Sequence, residues 1–232
     1  MSQRISLPVP QADNSLSVAA LLTLSGGFLD AFSYVGHGHV FANAMTGNIV
    51  LMGVSMAEQD WAQTLRHLPP LLAFVLGVFF ANCLRLPRVR RFLPNPALVC
   101  LGLEIIILSI GSGLPASFPD AWLVPCIALV AAMQNSSFTH IGTTPYNSVM
   151  TTGNLRRSIE GLFNRMTGNR SALHEARLFG LVCLCFLLGA IIGGFATISL
   201  HNMALIVPVG MLCMAFAICL YDSKRHTGAT LS

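Results

Sequence analysis

Phe-Ser-Tyr-Val-Gly-His-Gly-His-Val-Phe-Ala-Asn-Ala-Met-Thr-Gly-Asn, residues 32–48, and Phe-Thr-His-Ile-Gly-Thr-Thr-Pro-Tyr-Asn-Ser-Val-Met-Thr-Thr-Gly-Asn, residues 138–154, align without a gap 106 positions apart. Five positions are identical: Phe32/Phe138, Gly36/Gly142, Thr46/Thr152, Gly47/Gly153 and Asn48/Asn154. Each copy follows an apolar stretch. A duplicated polar motif set between membrane spans points to transport.

The surroundings of the motif argue for lipid. The chain is 54% hydrophobic and only 9% charged, against about 25% charged in an average soluble domain. Largely apolar stretches run over Leu16–Val35, Leu68–Leu84, Ala97–Leu114, Ala121–Thr139, Leu178–Leu200 and Met203–Tyr221. Each is close to the roughly 20 helical residues that cross a hydrocarbon core. A β-barrel would need short alternating strands instead of continuous runs. The expected class is therefore an all-α integral membrane protein with six transmembrane helices.

The net charge of +4 does not read as a nucleic-acid surface, because the basic residues lie between or beyond the spans. Arg85, Arg88, Arg90 and Arg91 mark one short loop, Arg156, Arg157, Arg165, Arg170 and Arg177 a second, and Lys224 with Arg225 the C-terminal tail. The positive-inside rule places all three in the cytoplasm. Loops 115–120 and 201–202 carry no Lys or Arg and face out, so both termini are expected inside. The division that follows is a cytoplasmic tail over 1–15, one membrane repeat over 16–114, a second over 115–221, and a cytoplasmic tail over 222–232. Seven cysteines sit in or at the ends of the spans, with no metal-type CxxC pair; they read as packing residues.

Each repeat holds one span, a long loop bearing Thr-Gly-Asn, and two further spans. Three crossings is an odd number, so the second repeat must enter from the opposite side, which gives an inverted pair. Gly77 with Ala81 matches Gly189 with Gly193 in spacing, a small-xxx-small pair that lets helices approach closely. After the first motif, Ile49, Val50, Leu51, Met52, Val54 and Met56 form a run too short to span, which suits a re-entrant or interfacial helix. After the second, Leu155, Ile159, Leu162 and Phe163 recur at helical spacing opposite Arg156, Arg157 and Glu160, which suits an amphipathic surface helix.

Gly-Gly-Phe-Leu-Asp at 26–30 and Phe-Ala-Asn-Ala-Met-Thr-Gly-Asn at 41–48 resemble the YoaK-like family of small bacterial membrane proteins, a domain of unknown function. The resemblance covers nearly the whole chain. It implies six spans and a bacterial inner (cytoplasmic) membrane, and adds little about chemistry.

The candidate substrate-binding residues are Thr46, Gly47, Asn48, Thr152, Gly153 and Asn154, joined by Asn135 and Ser136 from the polar run 134–137. Thr and Asn are good helix caps, and a helix opening points free N–H groups and a positive dipole end at an anion or carbonyl. Asp30 and Glu104 fall within lipid depth. A charge there costs at least about 2.5 kcal/mol on insertion scales, so such an acid is paired, protonated or facing water; both are candidates for proton coupling. His37-Gly38-His39 has no third ligand beside it, so no metal is expected. No HExxH, G-x-S-x-G or P-loop occurs, and neither an enzyme nor a cofactor is expected. The reading is a secondary transporter for a small polar or anionic solute, with a channel-like pore or a non-transporting scaffold as alternatives. Its partners are the bilayer, the solute and, given six spans in so short a chain, a second copy of itself.

Overall fold

The computed structural model describes residues 15–169 and 171–229, and almost all of its regular structure is helical. The helices begin where local chemistry allows. Ser15 accepts the Val18 N–H at 3.2 Å and opens α1, Leu16–Gly36. The first motif leads into α2, Met45–Ala57. Asp60 accepts the Gln63 N–H at 3.0 Å and opens the short α3, Trp61–Arg66. After His67, α4 runs Leu68–Leu84 with Pro69 and Pro70 in its first turn, where a missing N–H costs nothing. A basic turn, α5 (Pro87–Arg90), precedes α6, Pro96–Ser112, which Asn95 caps through the Leu98 N–H at 3.2 Å. Helix α7 covers Asp120–Ser137.

The second motif begins with a small departure from the all-α expectation. His140–Ile141 (β1) pairs antiparallel with Thr144–Pro145 (β2) around Gly142, whose φ is +59°. Two residues per strand are too few to show alternation in a sequence, and glycine takes that φ with no Cβ penalty. The amphipathic α8 follows, Thr151–Met166. Helix α9, Ala172–Leu200, starts six residues before its apolar stretch at Leu178, because His174, Glu175 and Arg177 are polar yet tolerated in a helix. A 3-10 turn at His201–Leu205 joins it to α10, Ile206–Ala229. Of the tail expected over 1–15, all but Ser15 lies outside the described residues; in the other tail α10 continues through Asp222.

Helix α1 sits at the centre. Val18, Leu22, Phe28, Leu29 and Phe32 pack with Leu101 and Leu108 of α6, Leu123 and Ile127 of α7, and Leu212 of α10 in the main apolar cluster. Small residues set the closest approaches. A Cβ on Gly189 or Gly193 of α9 would strike the α1 backbone at Leu24 or Phe28, and one on Gly77 of α4 would strike the α7 backbone at Leu129. The small-xxx-small expectation is met in both pairs, so α9 packs on α1 as α4 packs on α7.

Away from those contacts the helices turn large apolar side chains outward. Leu72, Val75, Leu76, Phe79 and Phe80 on α4, and Leu184, Leu187, Ile191 and Phe195 on α9, are exposed. Contiguous apolar surface on that scale marks contact with lipid or protein. By length and composition, three helical stretches can cross a membrane: Leu16–Gly36, Trp61–Leu84 and Ala172–Ser223, the last continuous through the 3-10 turn. Helix α6 is apolar but 17 residues long, and α7 begins at Asp120 and ends in Gln134-Asn135-Ser136-Ser137.

Candidate functional site

The segment Phe41–Ala44 has no regular structure, yet its four backbone N–H groups are all accepted by side chains. Asn48 Oδ1 accepts from Phe41 at 2.8 Å, Ser33 Oγ from Ala42 at 3.0 Å, and Asp30 Oδ1 from both Asn43 (2.7 Å) and Ala44 (3.1 Å). Asp30 and Ser33 stand one helical turn apart on buried positions of α1, which is how one face of that helix holds three of the four. Asn48 also donates from Nδ2 to the Phe41 carbonyl at 2.8 Å, so it grips the same residue twice. Asp30 therefore sits at the opening of α2, where the positive end of the helix dipole favours an acceptor. Its second oxygen, Oδ2, is buried and has no partner.

Ahead of α8 the same backbone positions are met differently. Adding 106 to Asn43 and Ala44 gives Val149 and Met150, and their N–H groups are accepted by Asn147 Oδ1 at 3.0 and 3.1 Å. Asn154 donates to the Asn147 carbonyl at 2.7 Å, matching the grip of Asn48 on Phe41 seven residues back. Ser136, which aligns with Asp30, instead donates to Ala132 O of its own helix at 2.8 Å. The Arg85 guanidinium donates to the Ser136 carbonyl.

The two segments are tied together in the core. Asn135 of α7 donates to Asn43 Oδ1 at 3.4 Å and accepts from Ser148 Oγ at 2.6 Å. Asn43 reaches on to the Gly26 carbonyl of α1 at 3.4 Å, and a Cβ on Gly26 would stand 2.9 Å from Val149 Cγ1. All three members of this relay are buried. It links a residue two before α2 to one three before α8.

Several expected roles change. Thr and Asn of the motif do not cap: the caps are Ala44 and Met150, neither with a side-chain bond, and the helices open at Met45 and Thr151. Asp30 and Asn147 accept instead from the two N–H groups that precede each helix. Thr46 and Thr152 are exposed, Gly47 and Gly153 half-buried, and Asn48 and Asn154 buried. Gly47 lies under the Phe41 ring, 2.8 Å from where its Cβ would be, whereas nothing lies within 4 Å of a Cβ on Gly153. Glu104 is buried on α6 with Oε2 unpartnered, and no hydrogen bond of the relay reaches it. His37 pairs with Asp120, Nδ1 to Oδ1 at 2.8 Å, rather than with His39.

Asn43, Ser148, Ser33, Asn147 and His67 were not singled out from the sequence. Asn43, Ser148 and Asn147 lie in the nine unmatched positions of the repeat, where identity between copies gives no signal, and Ser33 aligns with a threonine, Thr139, in the other copy. His67 is fully buried with Nδ1 3.4 Å from Asn48 Oδ1 and Nε2 unpartnered; one polar residue heading an apolar run was its only trace.

The family model described as "Protein of unknown function (DUF1275)" matches residues 18–218. The chain belongs to the DUF1275 family. It is 26% identical over 202 residues to the UPF0700 transmembrane protein YoaK of Bacillus subtilis (strain 168), covering 84% of this chain and 90% of that protein. No solved structure matches the chain. The DUF1275 match encloses both motifs and every residue of the relay. Together with the outward apolar faces, it identifies a membrane protein of a family whose activity is undefined.

Proposed function

We propose that this chain is a small secondary transporter in which two inverted three-span halves enclose a polar site near the middle of the bilayer, with both termini in the cytoplasm. The observation that carries the reading is the Asn43–Asn135–Ser148 relay, which joins the segments ahead of α2 and α8 in the buried interior. Buried amides with several donors and acceptors suit a small polar or anionic solute, because they can exchange bonds with one another for bonds to a ligand. Matched contacts support the inverted pair: α1 on α9 like α7 on α4, and Asn48 to residue 41 like Asn154 to residue 147. Rocking of one half against the other would break the relay and open the site alternately to either side. Asp30, with one oxygen bound to the segment ahead of α2 and the other without a partner, couples protons to that motion; Glu104 is the second candidate.

Flux through proteoliposomes tests this. Saturable uptake that responds to a pH gradient is expected, and Asn135→Ala should remove it. Asp30→Asn keeps an acceptor for both N–H groups and removes the titratable proton, so uptake should persist but ignore the gradient. Linear flux insensitive to the gradient would favour a pore and sink the proposal.

One observation favours a scaffold instead. The motif asparagines direct their side-chain bonds to their own loops, which is what packing alone would require. On that reading Asn135→Ala lowers stability, and no solute in a broad panel crosses the membrane.

A further inference from the structure

A cavity of about 340 Å³ lies away from the relay, between the end of α1, the short α3 and the starts of α4 and α7. Ligand pockets span roughly 300 to 1,000 Å³, so this one suits a small occupant. Its walls are mainly apolar, including Val40, Leu65, Pro69, Pro70 and Val124. Its polar groups are Arg66, Asp120 and His37. Pocket walls of that kind bury the body of a ligand while a few polar groups fix its ends.

The charges are arranged in a particular way. Among the described residues Arg66 forms no ion pair. Its guanidinium rests instead along Gly38, where an added Cβ would stand 2.7 Å from Nη1. Gly38 has φ +77°, and its carbonyl accepts from Gln63 Nε2 at 2.8 Å, so α3 and the end of α1 hold the guanidinium at the cavity. Asp120 is half-exposed and uses Oδ1 on the buried His37, which leaves Oδ2 free to accept. The cavity thus presents one unpaired cation and one carboxylate with a free oxygen. A simple anion would satisfy Arg66 but face Asp120, and a simple cation would do the reverse. A ligand bearing one charge of each sign satisfies both.

We propose that this cavity is a binding site for a small zwitterion with an apolar body, of the free α-amino acid type, its carboxylate on Arg66 and its ammonium on Asp120. Arg suits the first role because its planar fork matches a carboxylate with two parallel bonds. The chain's two tryptophans, Trp61 and Trp122, are exposed; Trp61 begins α3 and Trp122 is the third residue of α7. Tryptophan gathers at membrane–water interfaces, so the cavity mouth lies level with the headgroups, open to a solute arriving from water. The site goes beyond the transport reading and shares no residue with the relay; binding here is measurable in a chain that moves nothing.

The test is binding to the purified full chain in detergent, read by calorimetry and melting temperature, with L-leucine, L-alanine, propionate, isopropylamine and N-acetyl-L-leucine as probes. Leucine should bind saturably and raise the melting temperature, with each single-charge probe at least tenfold weaker. Arg66→Gln and Asp120→Asn should each weaken leucine at least tenfold. Ala62→Trp, on the exposed wall of the cavity, should block binding while leaving all three polar groups in place, which guards against a charge variant that merely misfolds. Propionate or isopropylamine binding as tightly as leucine overturns the proposal. So does binding that survives both Arg66→Gln and Ala62→Trp, or no binding of any probe.

Discussion

The openings of α2 and α8 share five identical residues across their motifs but solve the same backbone problem with different chemistry. In both, an asparagine at the fourth helical position reaches back seven residues to hold the approaching chain. In both, the two N–H groups before the helix need acceptors. The first opening takes its acceptor from Asp30, thirteen residues back on α1; the second takes it from Asn147, two residues back in the same loop. A carboxylate sent across from another helix makes the first opening part of the core. A local turn leaves the second self-sufficient. The difference shows how a duplicated motif can keep its brace and diverge in its electrostatics: the acceptor at the first opening is a titratable carboxyl, and the one at the second is a neutral amide.

The largest expected effect follows from that contrast. Asp30→Ala strands the buried Asn43 N–H and the half-buried Ala44 N–H, at a cost of about 2–5 kcal/mol for the two. Asn147→Ala leaves the N–H groups of half-buried Val149 and exposed Met150, which water can reach, at a cost of about 1 kcal/mol. Denaturant or thermal unfolding of the purified chain compares them. Equal losses would mean that the two openings are equivalent after all.

A smaller gap separates the identical asparagines. Asn48 makes two bonds to Phe41 and faces His67, while Asn154 makes one bond to Asn147. Removing Asn48 also strands the Phe41 N–H. Asn48→Ala should cost about 2–4 kcal/mol and Asn154→Ala about 1 kcal/mol, read from the same unfolding curves. The order reversed would show that the second brace, not the first, holds the loops in place.

The helices were largely legible in the sequence because burial in lipid leaves long uninterrupted apolar runs; α4 falls on Leu68–Leu84 in both readings. Helix α9 was seen only from Leu178, since hydropathy does not register the amphipathic turn at Ala172–Arg177. The polar site was legible in part. Asp30, Asn48, Asn135 and Asn154 stood out as polar groups in or near spans, and the structure gives each of them a hydrogen-bond partner. What those partners are was not legible: Asp30 to Asn43 and Asn135 to Asn43 join residues 13 and 92 positions apart, and no periodicity encodes a contact of that kind. The capping role given to Thr46 and Thr152 failed for a different reason. The helices open one residue earlier, at Met45 and Thr151, which leaves both threonines at the second helical position instead of at the cap.

The glycines of the two motifs should differ in the sign of their response, though the effect is the smallest. Glycine inside a helix costs about 1 kcal/mol relative to alanine, so Gly153→Ala, with nothing within 4 Å of the new Cβ, should stabilise the chain by up to that amount. At Gly47 the same substitution gains the same propensity but drives the Cβ to 2.8 Å from the Phe41 ring. That ring cannot simply withdraw. It is stacked on Tyr34 with centroids 4.9 Å apart, and both backbone polar groups of Phe41 are held by Asn48. Overpacking of this kind costs about 1–3 kcal/mol, which outweighs the propensity gain. Gly47→Ala should therefore lower the melting temperature while Gly153→Ala raises it. If both rise, Phe41 is free to move and the first opening is looser than its hydrogen bonds imply.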